Sequence, residues 1–285
     1  MKVYKWSVLL LVLVLLFVAC ESQEETEAAP TEAVTDDAAA TGTDAEGDAS
    51  AKSEGDKFVV GFDANFPPYG YLDGDEYVGF DLDLAQEVAT RRGWELVKQP
   101  IDWDAKDMEL NSGTIDCIWN GFTINGREDL YLWTEPYVDN SQVFAVKEAS
   151  GIKTFADLAG KNVLVQADSS ALHALEGDDF ADLVASFATF EQVPDYNGAF
   201  MNLESGAADA VALDIGVADY QIESREGKGF VKLEEPIVVE QYGVGFKLGN
   251  EALRDQVQET LNDMKADGTF QSLAEKWNLT DSVIE

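Results

Sequence analysis

Acid–base, nucleophilic and metal chemistry each need particular side chains at particular spacings, and few of those sets occur in this chain. His173 is the sole histidine. An imidazole could act as a base or bind zinc, but no Cys or second His stands at ligand spacing, so neither a zinc site nor a Ser/His triad is supported. His173 is expected on a helix surface. Cys117 lies in the apolar run Ile115-Asp116-Cys117-Ile118-Trp119, where a buried, inert thiol is expected. Neither Gly-x-Gly-x-x-Gly nor a P-loop pattern occurs, which removes the commonest nucleotide sites. No cofactor and no metal are expected. The chemistry left to the chain is recognition by charge, hydroxyl and aromatic face. A net charge of −36 excludes nucleic acid and anionic membrane surfaces as partners, because a polyanion would be repelled with no counterion release in return. It does not by itself imply a cationic ligand, since much of the acidity lies in the N-terminal segment and on solvated helix faces.

Three segments must position this chemistry. In residues 1–20, Lys2 and Lys5 precede an apolar run from Val8 to Val18 that ends Phe17-Val18-Ala19-Cys20. The run is a secretory signal, too short for a comfortable permanent span of about 20 apolar residues. Its ending is similar to the lipobox of bacterial lipoproteins, with Phe17 where Leu is usual. Cys20 is therefore the expected lipidation site, and the rest of the chain is expected on the extracytoplasmic face of the membrane, held by a lipid anchor. Residues 21–56 are rich in Glu, Asp, Ala, Thr, Ser and Gly, contain no aromatic, and have only Val34 as a large aliphatic. Such a segment buries too little apolar area to fold and is expected to be a disordered acidic tether.

Residues 57–285 suffice for one large domain or two small lobes. Strands are predicted over 57–63, 95–99 and 115–119. Phe80, Leu84, Ala85, Val88 and Ala89 recur at helical spacing between the first two, and a short helix runs through Leu110 between the last two. This β-α-β-α-β unit implies an α/β fold with a mainly parallel sheet covered on both faces. The pattern restarts after Lys147. Thr154 caps a short helix, strands follow at 162–166 and 210–214, and helices begin at Ala171, Tyr196 and Ile215. A strand over 241–246 and helices over 252–266 and 270–277 close the chain.

Several segments carry a family resemblance. They include Val60-Gly61-Phe62-Asp63-Ala64-Asn65-Phe66-Pro67-Pro68, Gly79-Phe80-Asp81-Leu82-Asp83-Leu84-Ala85 and Leu110-Asn111-Ser112-Gly113-Thr114-Ile115-Asp116. Asn120-Gly121-Phe122-Thr123-Ile124-Asn125-Gly126-Arg127-Glu128, Thr154-Phe155-Ala156-Asp157-Leu158-Ala159-Gly160-Lys161 and Ala208-Asp209-Ala210-Val211-Ala212-Leu213-Asp214 continue it. Together they resemble the polar amino-acid-binding proteins of ABC importers, in order and over the whole domain. The resemblance implies the two-lobed type II periplasmic-binding-protein-like fold, with two chain crossings and closure by hinge motion. Lobe 1 is expected from 57–141 with 241–285, and lobe 2 from 142–240. The implied partners are a free amino acid and an ABC permease, and the protein is expected to be a monomer.

On this resemblance Arg127 holds the ligand carboxylate, a role suited to a planar fork of donors that stays charged. It follows Thr123 by four residues where many relatives have five. Thr123 adds a hydroxyl, and Gly121 a bare backbone beside Asn120, in the loop after the 115–119 strand, where open α/β sheets bind ligands. Ser170, at the start of a helix, suits an anionic group or serves as an N-cap. Asp214 resembles the aspartate that accepts from the ligand ammonium; the alternative is a cap on the following helix. Phe66 and Trp103 match aromatic positions around the ligand side chain, and Asp63 is placed to reach a polar tip. Asp168 occupies a position commonly Gly in the family. Transport binding needs no catalytic group, so an enzyme is not expected. A dehydratase on the same fold and a sensory module docking on a receptor are the alternatives.

Overall fold

The computed structural model describes residues 51–284. The leader, Cys20 and the tether up to residue 50 lie outside the described residues. Ahead of the first strand, Lys52 already exchanges hydrogen bonds with Gln256, and the Gly55 and Glu95 amides donate to Gly93 and Asp56.

Two sheets organise the folded part. The first runs in the order Glu95–Pro100, Lys57–Phe62, Cys117–Ile118, Gly245–Phe246, Leu132–Trp133. Lys57–Phe62 pairs parallel with both neighbours, whereas Gly245–Phe246 returns antiparallel, so the sheet is mixed. Phe58, Val60 and Phe62 alternate into the core with no exposure. The helix Phe80–Arg92 covers them with Phe80, Leu84, Ala85, Val88 and Ala89, the stripe its spacing predicts. The C-terminal helices Glu251–Asp267 and Thr269–Lys276 pack beside it.

The second sheet runs Thr189–Val193, Asn162–Gln166, Ala210–Asp214, Val138–Lys147, Phe230–Lys232, and Val238–Tyr242 also pairs with Val138–Lys147. Its first three strands are parallel, and Val138–Lys147 is antiparallel to its partners. Helices Ser170–Leu175, Tyr196–Ser205 and Ile215–Ser224 bury its faces.

The structure adds strands Leu132–Trp133, Val138–Lys147, Thr189–Val193 and Phe230–Lys232 to those read from the sequence, and it differs from that reading elsewhere as well. The 115–119 strand shortens to Cys117–Ile118. A small antiparallel sheet of Asn65–Phe66, Gly70–Asp73 and Glu76–Val78 fills what reads as a loop. The single strand over 241–246 is two, because Val238–Tyr242 belongs with Val138–Lys147 while Gly245–Phe246 joins the first sheet. The chain thus crosses between lobes twice, and the two crossing strands pair with each other from Val138↔Tyr242 to Gln142↔Val238.

Candidate ligand-binding site

Arg127 is aimed by a tight turn. Its amide donates to the Ile124 carbonyl at 2.9 Å, and Gly126 at the third turn position has φ 78°, a conformation that costs glycine little. The turn folds the guanidinium back over the Phe122 ring, 5.4 Å from its centroid, and one nitrogen donates to the Thr123 carbonyl at 3.3 Å. The four-residue spacing therefore still brings Arg127 beside Thr123. Gly121 has φ 56°, and a Cβ there would stand 2.7 Å from Phe66. Its amide donates at 2.6 Å to Asp81, a fully buried carboxyl whose pKa is pushed up to about 7, chiefly by burial.

Across the cleft, Asp214 ends the Ala210–Asp214 strand at the N-cap position of the helix that follows, but its side chain makes no capping hydrogen bond. Its Oδ1 accepts from Gln142 at 2.6 Å, Asn140 at 2.8 Å and the Tyr242 hydroxyl at 2.5 Å. Burial first, and the Glu240 carboxylate second, raise its pKa above the ordinary carboxylate range. Ser170 opens the helix Ser170–Leu175, but the cap is Ser169, whose hydroxyl accepts from the Leu172 amide. The Ser170 hydroxyl donates to Glu240, as the Thr123 hydroxyl does at 2.8 Å. Both hydroxyls so oriented keep lone pairs for a donor, which suits an ammonium better than the anionic group expected at Ser170.

Phe66, Trp103, Gly121, Thr123, Arg127, Ser170 and Asp214 line one pocket together with Gln166 and Ser169, pinched to about 10 Å³. Asp63 lines the adjoining cleft of about 620 Å³, which Trp103 also lines, together with Asp102, Asp104, Glu109 and Asp195. Its Oδ2 accepts from Gln166 of the second sheet at 2.7 Å, and burial raises its pKa against the lowering effect of the Asn65 and Gln166 hydrogen bonds. Asn120 lines neither cavity; its Oδ1 takes the Asp63 amide at 3.0 Å and so fixes the strand end from behind.

Asp168 has φ 54°, the left-handed conformation that glycine adopts most easily. Its carboxylate ion-pairs with Lys106, which is almost fully buried over the Trp103 ring, 5.0 Å from its centroid. Cys117 is fully buried, with its thiol pKa pushed well up by burial. His173 is exposed on its helix.

Sequence reasoning missed Gln166 and Ser169, which line the pocket, and Asn140, Gln142 and Glu240, which surround Asp214. A signal was present: Val239 is 67 % exposed while Glu240, on the other face of the same strand, is 2 % exposed. An outward valine beside an inward carboxylate inverts the usual strand pattern, and Asn140 and Gln142 likewise occupy inward positions.

A model of the bacterial extracellular solute-binding proteins, family 3, matches residues 58–280. The L-cystine-binding protein TcyJ of Escherichia coli is 29% identical over 223 residues, 77% of this chain and 81% of that protein. The arginine-binding extracellular protein ArtP of Bacillus subtilis is 27% identical over 78% of this chain and 86% of its own length. A Streptococcus pneumoniae ABC uptake transporter substrate-binding protein, solved with bound histidine, superposes with a TM-score of 0.77 at 32% identity, covering 80% of this chain and 95% of that one. The match over 58–280, the two mixed sheets and the cleft between them agree, and the chain belongs to the bacterial extracellular solute-binding proteins of family 3.

Proposed function

We propose that this protein is a lipid-anchored, extracytoplasmic binding protein that captures a polar or basic amino acid between its lobes and delivers it to an ABC permease, without turning it over. The observation that carries this reading is the pairing of Arg127 with Asp214 around one pocket from opposite sides of the cleft. A free amino acid presents a carboxylate to the guanidinium and an ammonium to the aspartate at once, and only closure engages both. Asp63, Asp102, Asp104 and Asp195 in the adjoining cleft favour a cationic side chain, and Trp103 offers its stem an apolar face. Relatives described as binding arginine or histidine support the basic class, and TcyJ supports a cystine-like one. Lobe 1 comprises 57–141 and 241–285 in this reading, and lobe 2 comprises 142–240.

A thermal-shift screen of purified protein against the proteinogenic L-amino acids and L-cystine tests the ligand class. A ligand at about 100 times its Kd stabilises by roughly 2.7 kcal/mol; a screen in which no amino acid raises Tm rejects the class. Cys20→Ser tests the anchor: the variant is expected in the soluble extracytoplasmic fraction, and its retention in membranes would contradict lipidation at Cys20.

A further inference from the structure

Glu240 lies opposite Asn140 in the paired crossing strands, and Asp214 lies opposite Gln142 on the other side of the same central strand. The two carboxylates thus flank one strand on one face. Asn140 Nδ2 donates to both, at 2.7 Å to Glu240 and 2.8 Å to Asp214, and Gln142 Nε2 donates to both at 2.6 Å. Their accepting oxygens are therefore no farther apart than two hydrogen bonds laid end to end. Glu240 also collects the Thr123 hydroxyl from the first lobe and the Ser170 hydroxyl from the second. No lysine or arginine bonds to either carboxylate among the described residues. Two buried acids held side by side by neutral amides form an acceptor-rich corner still short of a cation.

We propose that Glu240 is a specificity-determining residue: with Asp214 it forms a two-carboxylate cradle for the ligand's protonated amine, so that capture of the amine drives a proton off the pair. The proposal rests on the reading of this cleft as an amino-acid site. Without a cation, burial and the adjacent Glu240 carboxylate favour a proton on Asp214. An ammonium replaces that proton, so affinity rises with pH until the free pair is ionised. The raised pKa of Asp214 has the matching direction. The groups that act on Asp214 are Glu240, Tyr242, Gln142 and Asn140, with the buried hydroxyls of Tyr69 and Tyr196 close by. Asp63 lines the adjoining cleft, and the groups that act on it are Asn65, Gln166 and Asp195, so a change at Glu240 separates the two contributions.

The test is calorimetry on purified protein with L-arginine, L-histidine, L-glutamine and L-cystine as probes, from about pH 5 to about pH 8, in buffers of differing ionisation heat. Wild type is expected to release a proton on binding and to gain affinity as pH rises. Glu240→Gln is expected to lose roughly 10-fold or more in affinity at the upper pH and to flatten the pH profile, and Glu240→Asp to recover part of both. Unchanged affinity and pH profile in a folded Glu240→Gln overturns the proposal while leaving the amino-acid reading intact. Should Glu240→Gln fail to fold, wild-type binding with no proton exchange and a flat profile overturns it equally. Absence of binding by every L-amino acid of the thermal-shift screen, these four included, rejects the amino-acid reading and the cradle with it.

Discussion

Asp81 shows what a buried carboxyl does to a fold. Among the described residues nothing cationic pairs with it, and its pKa rises from 3.8 to about 7 because burial outweighs the Gly121 amide and Tyr137 hydrogen bonds. A pKa higher in the folded than in the unfolded chain means that folding favours the protonated form. The stability it lends is complete below about pH 4 and lost as pH rises through about 7. The urea midpoint of ligand-free protein should therefore fall between pH 5 and pH 8, and Asp81→Asn should remove part of that fall, on the order of a few kcal/mol. Parallel pH curves for variant and wild type would contradict this. Asp214 acts in the same direction on the free protein, but a bound ammonium stabilises its ionised form, so ligand should protect most at the higher pH.

At the scale of elements, the loop after Cys117–Ile118 brings Gly121, Thr123 and Arg127 to the cleft within one turn. Gly121→Ala meets both a left-handed φ of 56° and contacts of 2.7 Å to Phe66 and 3.1 Å to Tyr242. It should cost about 1–3 kcal/mol in urea unfolding and weaken ligand binding; a variant as stable as wild type would show that the loop relaxes freely. Arg127 and Asp214 were singled out by the family resemblance, and the strands Lys57–Phe62, Asn162–Gln166 and Ala210–Asp214 and the main helices were legible from apolar spacing and turn residues. The strand Val138–Lys147 was not. Its second half, Val143 to Val146, is apolar and buried, but its first half sets Asn140 and Gln142 inward. Hydrophobic alternation fails where the strand stops building core and starts building the site, and Glu240 was missed for the same reason.

For the whole molecule, closure is carried by a few polar contacts across the cleft. Asp63 meets Gln166, Lys106 meets Asp168, and Thr123 meets Glu240 on the crossing strand. For Lys106, burial lowers the pKa and the Asp168 carboxylate opposes that shift. Asp168→Asn keeps a residue that tolerates left-handed backbone but leaves this ammonium without its carboxylate. It should shift ligand-free protein toward open forms, seen as a larger radius of gyration in solution scattering, and weaken ligand binding roughly 3–10-fold. Identical scattering and affinity would remove the pair from the closing mechanism.

The central claim is that two opposite charges, one from each side of the cleft, read the backbone of an amino acid. Its most direct test is equilibrium binding of the amino acid giving the largest thermal shift to wild type, Arg127→Ala and Asp214→Ala, with ligand-free melting recorded for each. The account predicts that both variants fold and that each loses at least about 100-fold in affinity, the scale for removing one partner of a desolvated ionic contact. Tight binding retained by both folded variants would contradict it.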